Sequence, residues 1–149
     1  MARRTILDEL EGEEQMLTRV LVLSGEPEHW RKLSSIMASR GWEPVRCETI
    51  SAVKSLVLRD QIEVIVSDDV LPDGDFRELI RELKRSACEA LVIVMGRSYA
   101  DWDDYLEAMI AGAYDYFAYP AYPNGLEQAV AAALLESRAR RRDPVLKAA

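Results

Sequence analysis

At 149 residues the chain has the length of a single domain, enough for one sizeable core and too short for two ordinary ones. A hydrophobic share of 49% beside 30% charged residues describes a folded, soluble protein and excludes a disordered or fibrous one. The formal charge of -7 argues against a chain-wide footprint for nucleic acid or an anionic membrane, since both reward clustered positive charge.

Residues 1–18, MARRTILDELEGEEQMLT, carry two basic and five acidic side chains, with Ile6, Leu7 and Leu10 as their only compact apolar group. They read as an acidic extension, loose or briefly helical. The start lacks the apolar region of an export signal. The longest apolar run, Ala129 to Leu135, falls far short of the roughly 20 residues that cross a bilayer. The expected location is the cytoplasm, with neither nucleic acid nor membrane as partner.

From Arg19 short β-branched runs alternate with longer periodic segments, the pattern of an α/β fold built on a doubly wound parallel sheet. Five strands are expected, over Val20–Leu23, Val45–Cys47, Ile62–Val66, Leu91–Met95 and Tyr114–Phe117. The first, third and fourth are apolar on successive residues, so both their faces should be covered. The first helix can start at Pro27 and end before Gly41, a residue suited to a left-handed helix cap. Phe76, Leu79, Ile80 and Leu83 give the third helix one apolar stripe. Trp102, Tyr105, Leu106, Met109 and Ile110 repeat that spacing in the fourth, opposite Asp103, Asp104 and Glu107. The last helix starts near Pro123 and turns Leu126, Val130, Ala133 and Leu134 inward. The chain thus divides into the extension, a domain over residues 19–138, and a basic tail over 139–149. From Arg138 onward there are five basic residues and one acidic. The tail reads either as a solvated helix end whose arginines suit the negative end of the helix dipole or as a contact for an anionic partner.

Few groups offer chemistry. Cys47 and Cys88 are too few and too far apart for a disulfide framework or a zinc site, and read as small core fillers. His29, the only histidine, reads as a helix-surface residue and excludes multi-histidine metal sites. No GxSxG, P-loop or GxGxxG motif occurs, and no set of nucleophile, base and orienting group supports an enzyme. In an open parallel sheet ligands bind beyond the carboxyl ends of the strands. The residues there are Ser24-Gly25-Glu26-Pro27, Ser67-Asp68-Asp69 with Leu71-Pro72-Asp73-Gly74, Gly96-Arg97-Ser98, and Ala118-Tyr119-Pro120.

The segments RVLVLSGEP, VIVSDDVLPDG, LVIVMGRS and GAYDYFAYP, in this order and spacing, resemble the receiver domain of bacterial response regulators over about residues 19–138. The resemblance implies a CheY-like, flavodoxin-like (βα)5 fold with strand order 2-1-3-4-5. It also implies that Asp68 stands where the family's aspartate takes a phosphoryl group from a histidine kinase. The family's two metal-holding acids correspond to Ser24 and Gly25, its hydroxyl residue after the fourth strand to Gly96, and its lysine after the fifth to Tyr119. Tyr116 takes the switch-aromatic position. Phosphoryl transfer depends on metal and cationic groups that neutralise oxygen charge. Such a domain should therefore be phosphorylation-impaired, with no cofactor and Mg2+ held at most weakly by Glu26, Asp68 and Asp69.

All six tyrosines lie between residues 99 and 122, beside Trp102. By the resemblance this is the fourth-helix and fifth-strand region, the face through which receivers dimerise or bind output partners, and tyrosine and tryptophan suit interface centres. The expected function is that of a pseudo-receiver in two-component signalling, acting by protein–protein interaction. Its partner would be a signalling protein or histidine kinase, or a second copy docked through the fourth helix, fifth strand and fifth helix, with Trp102, Tyr105, Tyr116 and Tyr119 in contact. The alternatives are a working phospho-receiver with a metal site rebuilt around Asp68, and a small-ligand sensor using a cleft over Ser24, Gly96 and Tyr119.

Overall fold

The computed structural model describes residues 18–96, 102–118 and 123–142. Five parallel strands form one sheet: β1 (Arg19–Leu23), β2 (Glu43–Cys47), β3 (Val64–Asp68), β4 (Leu91–Gly96) and β5 (Asp115–Ala118), in the order β2-β1-β3-β4-β5. Between them run α1 (Pro27–Ser39), α2 (Ile50–Asp60), α3 (Phe76–Arg85) and α4 (Trp102–Ala111), and α5 (Pro123–Arg142) follows β5. This is the expected doubly wound (βα)5 topology.

The strand sequences dictate the layers. Successive strand side chains point to opposite faces, so a strand apolar at every position feeds two cores. Val20, Val22, Val64, Val66 and Ile93 pack with Leu33 and Met37 of α1 and Leu126, Val130 and Ala133 of α5. Leu21, Leu23, Ile65, Val92 and Val94 pack on the other face with Val53 and Val57 of α2, Leu79 and Leu83 of α3, and Ala108 of α4. The third and fifth helices thus turn inward the residues their spacing named. Gly41 adopts φ +78 just past α1, the left-handed geometry expected of it. Cys47 is buried and Cys88 half-buried beside the α2/α3 core, and burial pushes the Cys47 thiol upward.

Helix α4 departs from the sequence reading. Of its residues only Ala108 is fully buried, while Trp102, Leu106 and Ile110 are exposed. An apolar residue at helical spacing reports one face of a helix without saying which neighbour covers it, and here the stripe is largely turned outward.

The loop after β3 contains a feature the sequence did not announce. Val70–Leu71 and Gly74–Asp75 pair as a small antiparallel ribbon around Pro72-Asp73. From this ribbon the Asp73 carboxylate accepts hydrogen bonds from Ile50 N–H (2.8 Å) and Ser51 N–H (3.1 Å), capping α2 from outside because Thr49 makes no side-chain cap. Asp75 caps α3 in turn, accepting from Arg77 N–H and Glu78 N–H. The loop beside Asp68 is therefore tied to two helices.

Helix α5 continues without a break into RARRR. Arg138 and Arg141 turn onto Glu63, at 3.4 Å and 2.7 Å, and Arg138 also donates to Thr18 Oγ1. These arginines clamp the helix against the amino-terminal edge of the sheet rather than standing wholly in solvent.

Candidate functional site

Strand order reverses between β1 and β3, so the carboxyl ends of these strands open a crevice at the switch point. Ser24 follows β1 and Asp68 ends β3. Both are buried, at 1% and 6% exposure. The Ser24 hydroxyl donates to Asp68 Oδ2 at 2.5 Å and accepts from Glu26 N–H at 3.1 Å. A hydroxyl has one proton to give, and the carboxylate is the stronger acceptor. Asp68 is thus a buried, hydrogen-bonded carboxylate.

The second partner of Asp68 is His29, whose ring nitrogen Nδ1 lies 3.2 Å from Oδ1. Sequence reasoning placed this histidine on the helix surface. It is half-buried instead, because only three residues separate β1 from α1 and the first turn of the helix swings residue 29 back over the strand ends. That spacing was the available signal. On its far side, His29 Nε2 stands 3.8 Å from the Glu26 carboxylate. Burial pushes the Asp68 carboxyl above its ordinary range; the Ser24 and His29 hydrogen bonds and the His29 charge oppose that rise, and Glu26 adds to it.

The residues present do not fit a Mg2+ ion. Serine and glycine stand where acids would be needed, and a Cβ built on Gly25 would meet the Pro72 ring at 2.9 Å, so that position has no room for a carboxylate side chain. Both Asp68 oxygens are engaged by Ser24 and His29. Asp69 turns Oδ1 onto Val70 N–H at 2.9 Å, as a turn residue does. Among the described residues no three His, Cys, Asp or Glu side chains gather as a metal site.

The β4 end of the crevice is closed by an aromatic. Gly96 carries no hydroxyl, and the space its side chain would take is filled by the Tyr116 phenol. Tyr116 meets Tyr105 edge to face at 6.5 Å, and Tyr105 stacks on Trp102 at 5.2 Å. Three of the four aromatics singled out by the sequence are therefore in one contact chain. The fourth, Tyr119, lies outside the described residues.

No family model matches the chain. It is 31% identical over 101 residues to the photosynthetic apparatus regulatory protein RegA of Rhodobacter capsulatus, covering 68% of this chain and 54% of that protein. It is 29% identical over 104 residues to the KDP operon transcriptional regulatory protein KdpE of Escherichia coli, covering 70% of this chain and 45% of the other. The chain spans about half the length of these curated relatives. The beryllofluoride-activated NtrC4 receiver domain dimer superposes with a TM-score of 0.71 at 27% identity, covering 80% of this chain and 98% of that one. The chain has the CheY-like receiver fold. These likenesses support a signalling role of the receiver type. Within the receiver frame the chain is atypical, since the crevice keeps the β3 aspartate and lacks the acids and the hydroxyl that elsewhere surround it.

Proposed function

We propose that this receiver signals by protein–protein recognition, its α4 face meeting a second copy of the same chain, with phosphoryl transfer at Asp68 impaired. The observation that carries the reading is the outward stripe of α4, where Trp102, Leu106 and Ile110 fall at i, i+4 and i+8 and are 68%, 38% and 84% exposed. Large apolar side chains gathered on one helix face of a soluble domain mark an interaction surface. A self-complementary patch serves a two-fold dimer, in which each residue meets its counterpart or near neighbour. The NtrC4 receiver, similar in fold, was determined as a dimer. Exposed Leu135 of α5 and half-buried Tyr116 of β5 would extend the surface.

Impairment follows from charge. A phosphoryl group arriving at Asp68 would bring negative oxygens to a carboxylate that has a serine, a histidine and Glu26 for company. Transfer proceeds mostly by positioning and charge neutralisation, which this crevice provides poorly.

Sedimentation of the wild-type chain and of Ile110→Glu tests the surface. The charge should weaken self-association at least tenfold, and an unchanged association constant would remove α4 from the interface. Mass spectrometry after exposure to a small phosphodonor and Mg2+ tests the site. An unmodified Asp68 supports impairment; a phosphorylated Asp68 favours the working phospho-receiver.

A further inference from the structure

Gly96 ends β4 beside Asp68, whose strand pairs with it through Asp68 and Met95. Two reasons could place a glycine there, backbone conformation or space. The first does not apply, since the glycines with positive φ are Gly41, Gly74 and Gly112. The second does. Tyr116 pairs with Val94 on the neighbouring strand and shares a sheet face with Gly96 two residues on, so its ring reaches diagonally across the strand pair. A Cβ on Gly96 would overlap the Tyr116 Oη and Cζ and stand 3.0 Å from Cε2. Carbon contacts are favourable only from about 3.5 Å. No side chain other than hydrogen at position 96 is compatible with this ring position. Removing only the hydroxyl, as phenylalanine would, leaves the ring carbon in the way.

From this position Tyr116 presents its ring to Tyr105 at an interplanar angle of 83°, and Tyr105 stacks on Trp102 at 17°. The contact chain therefore runs from the end of β4 to the exposed face of α4. We infer that Gly96 is a positioning residue, whose missing side chain leaves the space that Tyr116 occupies and through Tyr105 sets the arrangement of Trp102 on the α4 face, independently of any event at Asp68. The lock stands on described contacts alone; only its bearing on partner choice rests on the α4 reading above.

The test is 19F NMR of the full chain labelled with 5-fluorotryptophan, which reports Trp30, Trp42 and Trp102 separately once Trp102→Phe has assigned its resonance. Gly96→Ala should move the Trp102 resonance and leave those of Trp30 and Trp42, which pack on the opposite sheet face, in place. In a Tyr116→Ala background, where the added methyl has room, Gly96→Ala should produce no further shift. Asp68→Asn should leave Trp102 unmoved. The inference is overturned if Gly96→Ala leaves Trp102 where it was, if its effect persists without Tyr116, or if Asp68→Asn moves Trp102 as far. Should Gly96→Ala fail to fold, recovery of folding in the Tyr116→Ala double variant supports the lock, and continued failure overturns it. A shifted Trp102 with unchanged self-association would keep the lock and reject the α4 interface.

Discussion

Replacing Ser24 by alanine removes one atom from the most buried polar contact of the crevice and should cost the fold measurable stability. The Ser24 hydroxyl donates to Asp68 Oδ2 at 2.5 Å and accepts from Glu26 N–H at 3.1 Å, with both side chains withdrawn from water. A hydrogen bond to a charged group contributes about 1.5 to 3 kcal/mol and a neutral one about 0.5 to 1.5 kcal/mol. His29 still holds Asp68 Oδ1 in the variant, and Glu26 N–H lies close enough to the surface to recover water. The net cost should therefore be about 2 kcal/mol at neutral pH, a fall in Tm of roughly 4 to 8 °C for a domain of this size. Chemical denaturation of four proteins, wild type, Ser24→Ala, Asp68→Asn and the double variant, isolates the charged part as a coupling energy. The cost of Ser24→Ala should shrink by half or more in the Asp68→Asn background. It should also shrink in acid, because the bond weakens once Asp68 is protonated. Equal costs in both backgrounds would refute the claim that Ser24 acts by stabilising the Asp68 charge.

Three further outcomes are expected. The Asp68 carboxyl titrates above its ordinary range because of burial, so its favourable contribution is complete below the unfolded-state value of about 3.9 and is lost as pH rises through the folded value. Asp68→Asn should therefore gain on the wild type across that window and hold the gain at neutral pH, as urea midpoints measured against pH would show. Leu79→Ala, in the α3 stripe and fully buried, should cost about 2 to 5 kcal/mol, whereas Leu58→Ala on the exposed side of α2 should stay within about 0.5 kcal/mol. Glu63→Gln should loosen both Arg138 and Arg141 and cost about 1 kcal/mol, less at high salt, by thermal melts at two ionic strengths.

Much of the architecture was legible in the chain because its signals are local. A strand apolar on both faces, as in Val20–Leu23 or Leu91–Met95, states that both faces are covered, and alternation with helices then leaves a doubly wound sheet as the economical solution. The stripe Phe76, Leu79, Ile80 and Leu83 carried enough apolar area to fix which side of α3 faces inward. The strand ends, and with them the location of the crevice, followed from the same pattern. Helix α4 shows the limit of that reasoning. Its apolar residues have the same spacing as those of α3, yet α4 packs on β5, a half-buried strand at the edge of the sheet, and buries only Ala108 fully there.

By itself the sequence determined the five strands and five helices and their succession along the chain, and its resemblance to receivers implied a crevice that keeps an aspartate while losing the acids and the hydroxyl that would accompany it. Which groups replace the lost ones was decided only in three dimensions. Asp68 is 39 residues from His29 and 44 from Ser24 along the chain, and no local preference links them. The parallel pairing of β1 with β3 brings their ends together, and the early start of α1 lays the imidazole over them. The same holds for Gly96, 20 positions from Tyr116 in sequence and in contact with it through strand pairing. Local energetics writes helices and strands into a sequence, whereas a site is a coincidence of distant residues, and that coincidence exists only after the sheet has closed.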